Sequence, residues 1–167
     1  YNRLDKGVIV IMKKGVVFDL DGTLINSLPD ISAAMNRALA RFGLPEHEEN
    51  TYKYKVGDGV LRLAERAVGG RTDMLEDVLH AYQADYAVNC RVSSYAYQGV
   101  ADMIQGLIDR GLQVCVLSNK DQTDTESVIR YYFPDIRFSV IRGRVEGVPL
   151  KPDPTGALLV AAELGLR

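Results

Sequence analysis

Two aspartates, Asp19 and Asp21, stand at the end of a short apolar run that extends from Gly15 to Leu20. Side chains two residues apart on a strand project in roughly the same direction. An Asx turn is the plainer explanation, since Asp21-Gly22 is a common turn dipeptide. A turn gives no reason to place Asp19 inside an apolar run, because a buried charge costs several kcal/mol unless it is paired or binds a metal. We therefore expect both aspartates to be functional.

Two later clusters of polar side chains strengthen this hypothesis. Ser118-Asn119 follows an apolar run at 112–117, and Lys151 precedes Pro152 in a loop. Each is weak alone, because Ser-Asn is common as a helix cap and loop lysines are commonly solvated. In open parallel sheets, however, ligands bind at the carboxyl ends of the strands, where all these groups would meet. Carboxylates, a hydroxyl and a lysine suit phosphoryl transfer, and Mg²⁺ prefers oxygen ligands.

The elements that would position these groups alternate between strands and helices. Apolar, β-branched runs predict strands, and three-four spacing of apolar residues predicts helices. This order indicates an α/β fold with a parallel sheet, interrupted after its first strand by an all-helical unit. The predicted strands are 15–20, 112–117 and 138–141, the helical unit is 29–94, and later helices begin near Val100 and Thr155.

The composition excludes several classes of protein. The 167 residues carry a net charge of -2, with Lys and Arg spread along the chain, which argues against nucleic-acid and membrane partners. Cys90 and Cys115 are far apart in apolar surroundings, as expected for free buried thiols in a reducing cytoplasm. Met12 is expected to be the natural start, so that residues 1–11 would be a leader or an added segment.

Three motifs in order resemble those of the haloacid dehalogenase superfamily. They are Asp19-Leu20-Asp21-Gly22-Thr23-Leu24, Ser118-Asn119 and Lys151-Pro152-Asp153-Pro154. The segments at 25–29, 56–59 and 147–154 are most similar to its phosphoglycolate phosphatase branch. The resemblance implies a Rossmann-like parallel sheet core at 12–28 and 95–167, with an inserted all-helical cap of type one at 29–94.

The resemblance also implies roles for the site residues. Asp19 would attack phosphorus and form an aspartyl-phosphate, and Asp21 would act as general acid and then base. Mg²⁺ would bind the Asp19 carboxylate and the Asp21 carbonyl. Ser118 and the Gly22 amide would bind phosphate, Lys151 would neutralise charge, and Thr23 and Asn119 would support and orient these groups. The substrate would be a small phosphorylated metabolite, with 2-phosphoglycolate the best guess.

The loop Gly57-Asp58-Gly59 resembles the cap loop that closes over substrate in this family. A plain helix start with Asp58 as its cap is an equally good interpretation. Arg62 is a candidate for binding a substrate carboxylate, although an exposed helix arginine is the more ordinary explanation.

The sequence departs from the family pattern in one respect. The family's fourth motif, which supplies a further metal-binding aspartate, should follow Lys151 by a helix and a strand, but the sequence ends at Arg167. We therefore expect a core truncated at its carboxyl end, with the first strand at an edge. A phosphomutase of the same fold and an inactive fragment stay open as alternatives. A phospho-accepting switch domain is disfavoured by the helical insertion, and a monomer and a homodimer fit equally well.

Overall fold

A computed structural model describes residues 14–165. The predictions for residues 1–11 and Met12 lie outside the described residues. The strands are β1 (Gly15–Phe18), β2 (Ile25–Asn26), β3 (Tyr95–Ala96), β4 (Gln113–Asp121) and β5 (Val140–Arg144). The helices are α1 (Leu28–Arg41), α2 (Val60–Val68), α3 (Leu75–Asn89), α4 (Val100–Asp109), α5 (Gln122–Tyr132) and α6 (Thr155–Glu163). Two 3₁₀ turns occupy Glu49–Tyr54 and Thr72–Met74.

The main sheet is parallel, with the order β1-β4-β5. Helices connect its strands, as the alternating sequence pattern predicts, so the predicted α/β class is confirmed. The strand β1 pairs with β4 from Gly15 opposite Gln113 to Phe18 opposite Val116. Within the described residues β1 lies at the edge of the sheet, and Val17 is 45% exposed.

The strand bounds differ from the predicted ones at the ends that carry the polar side chains. The strand β1 ends at Phe18, because the carbonyl of Leu20 accepts the amides of Thr23, Leu24 and Ile25 and so forms a turn. The strand β4 continues past 117 to Asp121, which pairs with Arg144 after an irregularity in the register. Ser118 and Asn119 therefore lie within β4 instead of following it.

Residues 28–89 contain helices and 3₁₀ turns without a strand, and we call them the helical segment. This content matches the all-helical prediction, whereas its division from the core as a separate cap domain stays a prediction. Ser27 stands at the N-terminal cap position of α1, but its hydroxyl makes no capping hydrogen bond. One continuous apolar cluster, which includes Met35, Tyr52 and Val116, joins the helical segment to the sheet.

The opposite face of the sheet packs against the last helix. Cys115 and Leu117 of β4 contact Val160 of α6. Alternate residues of β4, Val114 and Val116, point to the larger cluster, as the two-residue period of a strand requires. Cys90 and Cys115 are both free and buried, as predicted. None of the helices within residues 14–165 combines the length and apolar character needed to span a bilayer.

A small antiparallel pair, β2 with β3, was not predicted because strands of two residues carry no readable periodicity. It joins the point where the chain enters the helical segment to the point where the chain returns. Asp30, which is 3% exposed, reinforces this junction. Its carboxylate accepts the backbone amides of Val92, Ser93 and Ser94 at 2.8–3.0 Å.

The close approach of β5 to β4 depends on Gly143. A Cβ atom at this position would lie 2.7 Å from the Lys120 carbonyl oxygen and from the Gln122 Cα atom. We expect Gly143→Ala to lower the free energy of unfolding by about 1–3 kcal/mol, because the backbone has to shift. Urea unfolding measures the change. Gly106→Ala is the matched control: its site in α4 is open, and the change should stabilise by about 0.5–1 kcal/mol. Equal stability of Gly143→Ala and the parent would contradict the prediction.

Candidate active site

A cleft lies between the carboxyl end of the parallel sheet and the helical segment. Its volume is about 90 Å³. The sheet side is lined by Asp19, Asp21, Ser118, Asn119 and Lys120, and the opposite side includes Val56, Gly57, Gly59, Leu63, Tyr82 and Tyr86. Polar groups that are far apart in the sequence thus converge at the sheet edge predicted for them.

Asp19 forms an ion pair with Lys151. The Lys151 ammonium donates to Asp19 Oδ1 at 2.7 Å and to the Leu117 carbonyl at 2.8 Å. The premise that Asp19 is a buried charge is wrong, because β1 ends one residue earlier and the Asp19 side chain is 45% exposed. The predicted compensating charge is nevertheless present, and Oδ2 accepts no hydrogen bond from any residue in 14–165.

Ser118 and Asn119 occupy neighbouring positions in β4 with different surroundings. Ser118 is buried, and its hydroxyl accepts the Lys120 amide at 3.2 Å. Asn119 donates both amide hydrogens, to the carbonyls of Gly57 and Lys151, and its Oδ1 accepts the Lys151 amide at 2.8 Å. Asn119 is thus a support that holds two loops together, and a phosphate contact would compete with these bonds.

Gly22 and Thr23 form the turn after Asp21. The Gly22 amide, predicted to bind phosphate, donates instead to the Ile25 carbonyl at 2.8 Å. The Thr23 amide donates to the Leu20 carbonyl at 3.2 Å. This turn fixes the direction of the chain directly after the two aspartates, which accounts for the presence of Gly22 with its φ of 79°.

Only the glycines of the predicted cap loop reach the cleft. Gly57 and Gly59 line it, whereas Asp58 forms an ion pair with Arg66. Gly59, not Asp58, holds the cap position of α2. Arg62 is 64% exposed, pairs with Glu65 at 2.6 Å and is not among the lining residues. The ordinary explanation of an exposed helix arginine therefore fits Arg62 better than binding of a substrate carboxylate.

Sequence reasoning missed Lys120, which lies beside Asp21 in the cleft. The Lys120 side chain is 7% exposed, and its ammonium lies 3.2 Å from Asp21 Oδ2 and 3.0 Å from the Tyr86 hydroxyl. Burial lowers the pKa of Lys120, but the Asp21 carboxylate together with Tyr86 and Tyr82 outweighs this effect, so the pKa lies well above the ordinary value of a lysine. The only signal in the sequence was its place directly after Ser118-Asn119.

The sequence was also compared with models of known protein families. The family model for haloacid dehalogenase-like hydrolases matches residues 13–167 of the sequence. The chain belongs to this family. A phosphoglycolate phosphatase of Mannheimia succiniciproducens is 30% identical over 162 residues, which cover 92% of this chain and 72% of the relative.

Solved structures agree with this assignment. A predicted phosphoglycolate phosphatase from Haemophilus somnus matches with a TM-score of 0.86 and 28% identity, over 92% of this chain and 72% of the other. A second match, from Lactobacillus delbrueckii, has a TM-score of 0.86 at 23% identity, over 93% and 75% of the two chains, and shows the shared fold. This haloacid dehalogenase-like hydrolase is therefore a phosphatase of the phosphoglycolate phosphatase-like branch.

The donor set of this hydrolase suits a hard cation at the two aspartates. Asp21 Oδ1 is buried without a hydrogen-bond partner. Such an orphaned oxygen is costly unless a ligand satisfies it, and a substrate oxygen that exchanges a proton with Asp21 would do so. Within residues 14–165 no three acidic, His or Cys side chains cluster as a complete metal site. Mg²⁺ commonly binds one or two carboxylates and completes its shell with water and substrate phosphate, so the Asp19 carboxylate and the Asp21 backbone carbonyl are a fitting partial site.

Proposed function

We propose that this chain hydrolyses a small phosphate monoester in a magnesium-dependent reaction, with Asp19 as the nucleophile. The observation that carries the proposal is the 2.7 Å ion pair between Lys151 and Asp19, which lines the cleft. One Asp19 oxygen is engaged by the ammonium, which leaves the other for attack. The positive charge of a lysine also neutralises the negative charge on the oxygens of a phosphoryl group as it transfers.

The reaction proceeds in two displacements. A carboxylate oxygen of Asp19 bonds to phosphorus while the bond from phosphorus to the alcohol oxygen breaks, which gives an aspartyl-phosphate and an alkoxide. Asp21, in its protonated form, gives its proton to that alkoxide. Asp21 then takes a proton from water, whose oxygen displaces Asp19 from phosphorus and releases inorganic phosphate.

The groups around Asp19 bind and neutralise the phosphoryl oxygens. Lys151 supplies positive charge, and the Ser118 hydroxyl, which lines the same cleft as Asp19, would donate to a phosphate oxygen. Mg²⁺, held by the Asp19 carboxylate and the Asp21 backbone carbonyl, would supply further positive charge to the transferring group. Asn119 keeps Lys151 in place through the amide contacts described above.

The substrate we favour is 2-phosphoglycolate. Relatives that are 29–31% identical bear the name phosphoglycolate phosphatase, and a cleft of about 90 Å³ suits a small ester. The helical segment would act as the cap that covers it, with Gly57 and Gly59 at its edge. Two free buried thiols fit a reducing compartment, so we place the reaction in the cytoplasm.

A panel of phosphate monoesters tests this proposal. With Mg²⁺ present we expect release of inorganic phosphate, highest for 2-phosphoglycolate. Removal of Mg²⁺ by a chelator should lower the rate at least about 100-fold, because the metal stabilises charge in the transition state by several kcal/mol. Re-addition of Mg²⁺ is the control and should restore the rate. Full activity in chelator would contradict the metal requirement, and transfer to a second sugar position without phosphate release would indicate a mutase.

A further inference from the structure

Lys120 is the feature of the cleft that the proposed reaction leaves without a role. Its side chain is almost completely buried between the sheet and the helical segment. A buried ammonium costs several kcal/mol unless its surroundings compensate for the lost water. A lysine that served only to fill space would be replaced at lower cost by an apolar residue of similar length.

The compensation comes from two directions. On the sheet side, Asp21 Oδ2 lies 3.2 Å from the ammonium. On the side of the helical segment, the Tyr86 hydroxyl lies 3.0 Å away, and the ammonium stands 4.5 Å from the centre of the Tyr86 ring. Tyr86 in turn stacks on Tyr82 with a centroid distance of 5.4 Å. The position of the ammonium is therefore set by α3 as well as by β4.

The two carboxylate oxygens of Asp21 have different surroundings. Lys120 engages Oδ2, whereas Oδ1 is buried and has no partner among the described residues. A carboxylate fixed through one oxygen has a defined orientation of the other. We propose that Lys120 is a positioning residue for Asp21, holding its carboxylate so that Oδ1 is free for proton transfer, with Tyr86 fixing the ammonium. This inference rests on the proposed function, in which Asp21 serves the leaving alcohol.

A role in proton transfer and a merely structural role differ in their dependence on the leaving group. An alkoxide is strongly basic and needs the proton of Asp21 as it departs. A nitrophenolate leaves readily without one. Mispositioning of Asp21 therefore lowers kcat/KM, which covers only the steps up to formation of the aspartyl-phosphate, selectively for an alkyl phosphate, whereas a general disturbance of the cleft lowers kcat/KM for both esters alike.

The test compares Lys120→Met with the parent on 2-phosphoglycolate and on p-nitrophenyl phosphate. We expect kcat/KM for the alkyl ester to fall on the order of 10–100-fold, a part of the contribution of a positioned general acid, and for the aryl ester to fall less than about 3-fold. Asp21→Asn should show the same selectivity with a larger loss. Equal losses on both esters, or no loss on either, would overturn the inference.

Two further variants keep the result interpretable. Lys53→Met removes an exposed lysine that also stands over a tyrosine ring, 4.9 Å from the centre of Tyr54, and should leave both rates unchanged. If Lys120→Met does not fold, Tyr86→Phe takes its place, because it removes only the hydroxyl contact with the ammonium. It should give a smaller loss of kcat/KM with the same selectivity for the alkyl ester. A Tyr86→Phe enzyme without this selectivity would overturn the inference.

The outcomes separate this inference from the proposed function. A parent enzyme that hydrolyses neither ester, or an Asp19→Asn variant that keeps its activity, would overturn the proposed function and the inference with it. A parent that hydrolyses both esters through Asp19, combined with an unselective Lys120→Met variant, would overturn the role of Lys120 alone.

Discussion

Replacement of Asp19 by asparagine should abolish the release of phosphate from every ester. The amide has the size of the carboxylate but is not a nucleophile toward phosphorus. Loss of a catalytic nucleophile typically costs several orders of magnitude in kcat, and we expect a fall of at least about 10⁴-fold. The measurement is phosphate release from 2-phosphoglycolate under saturating Mg²⁺, with the aspartyl-phosphate sought by acid quench in the parent and in the variant.

The stability of Asp19→Asn should change little, which makes the loss of activity interpretable. Asp19 and Lys151 are both partly exposed, and exposed ion pairs contribute about 0–1 kcal/mol. Asp135→Asn is the matched control, because Asp135 is exposed and takes no part in the contacts of the cleft. Hydrolysis that survives in Asp19→Asn at more than a few per cent of the parent rate would refute the proposed nucleophile.

Replacement of Lys151 by methionine should have the second largest effect. The ammonium contacts Asp19 Oδ1 and the Leu117 carbonyl, so its loss removes the charge that orients the nucleophile and neutralises phosphate. Removal of one group that stabilises developing charge commonly costs about 10²–10³-fold in kcat, and we expect a loss in this range. A rise in KM should accompany it, because the same charge attracts the phosphate of the bound substrate.

Lys151→Arg distinguishes charge from geometry. Its guanidinium keeps the positive charge but is a planar fork instead of a compact ammonium, so it should recover part of the KM change and little of kcat. Steady-state kinetics on the three proteins, with Lys53→Met as the control for removal of a lysine, measure both constants. Parent-like kcat in Lys151→Met would contradict the role of this ion pair.

The order of the three strands of the main sheet and the helices between them, and the meeting of Asp19, Ser118 and Lys151 at one edge, were readable from the sequence. These features depend on apolar periodicity and on the rule that parallel strands end at the same edge. The exposure of Asp19 was not readable. It depends on β1 ending at Phe18 and on the turn that forms when the Leu20 carbonyl accepts hydrogen bonds from the amides that follow it. The pattern of apolar residues in the sequence does not show which of them pair with the neighbouring strand.

The pairing of Asp21 with Lys120 could not be predicted from the sequence, for a different reason. Lys120 is buried only because β4 continues past 117 and because Tyr86 of α3 covers its ammonium. Both facts are tertiary, and a lysine next to a strand end is ordinarily a solvated residue. The polar loop contacts were similarly hidden: the Gly22 amide has the Ile25 carbonyl as its partner, and Asn119 joins two loops distant in the sequence.

The junction formed by β2, β3 and Asp30 has a consequence for how the family can vary. Because the two ends of the helical segment are already fastened side by side, the chain between them forms a closed loop whose entropy cost rises only slowly with its length. Insertions are tolerated where the ends of the inserted piece lie close together. We therefore expect the helical segment to tolerate changes in its length while the edge that carries Asp19 keeps its geometry.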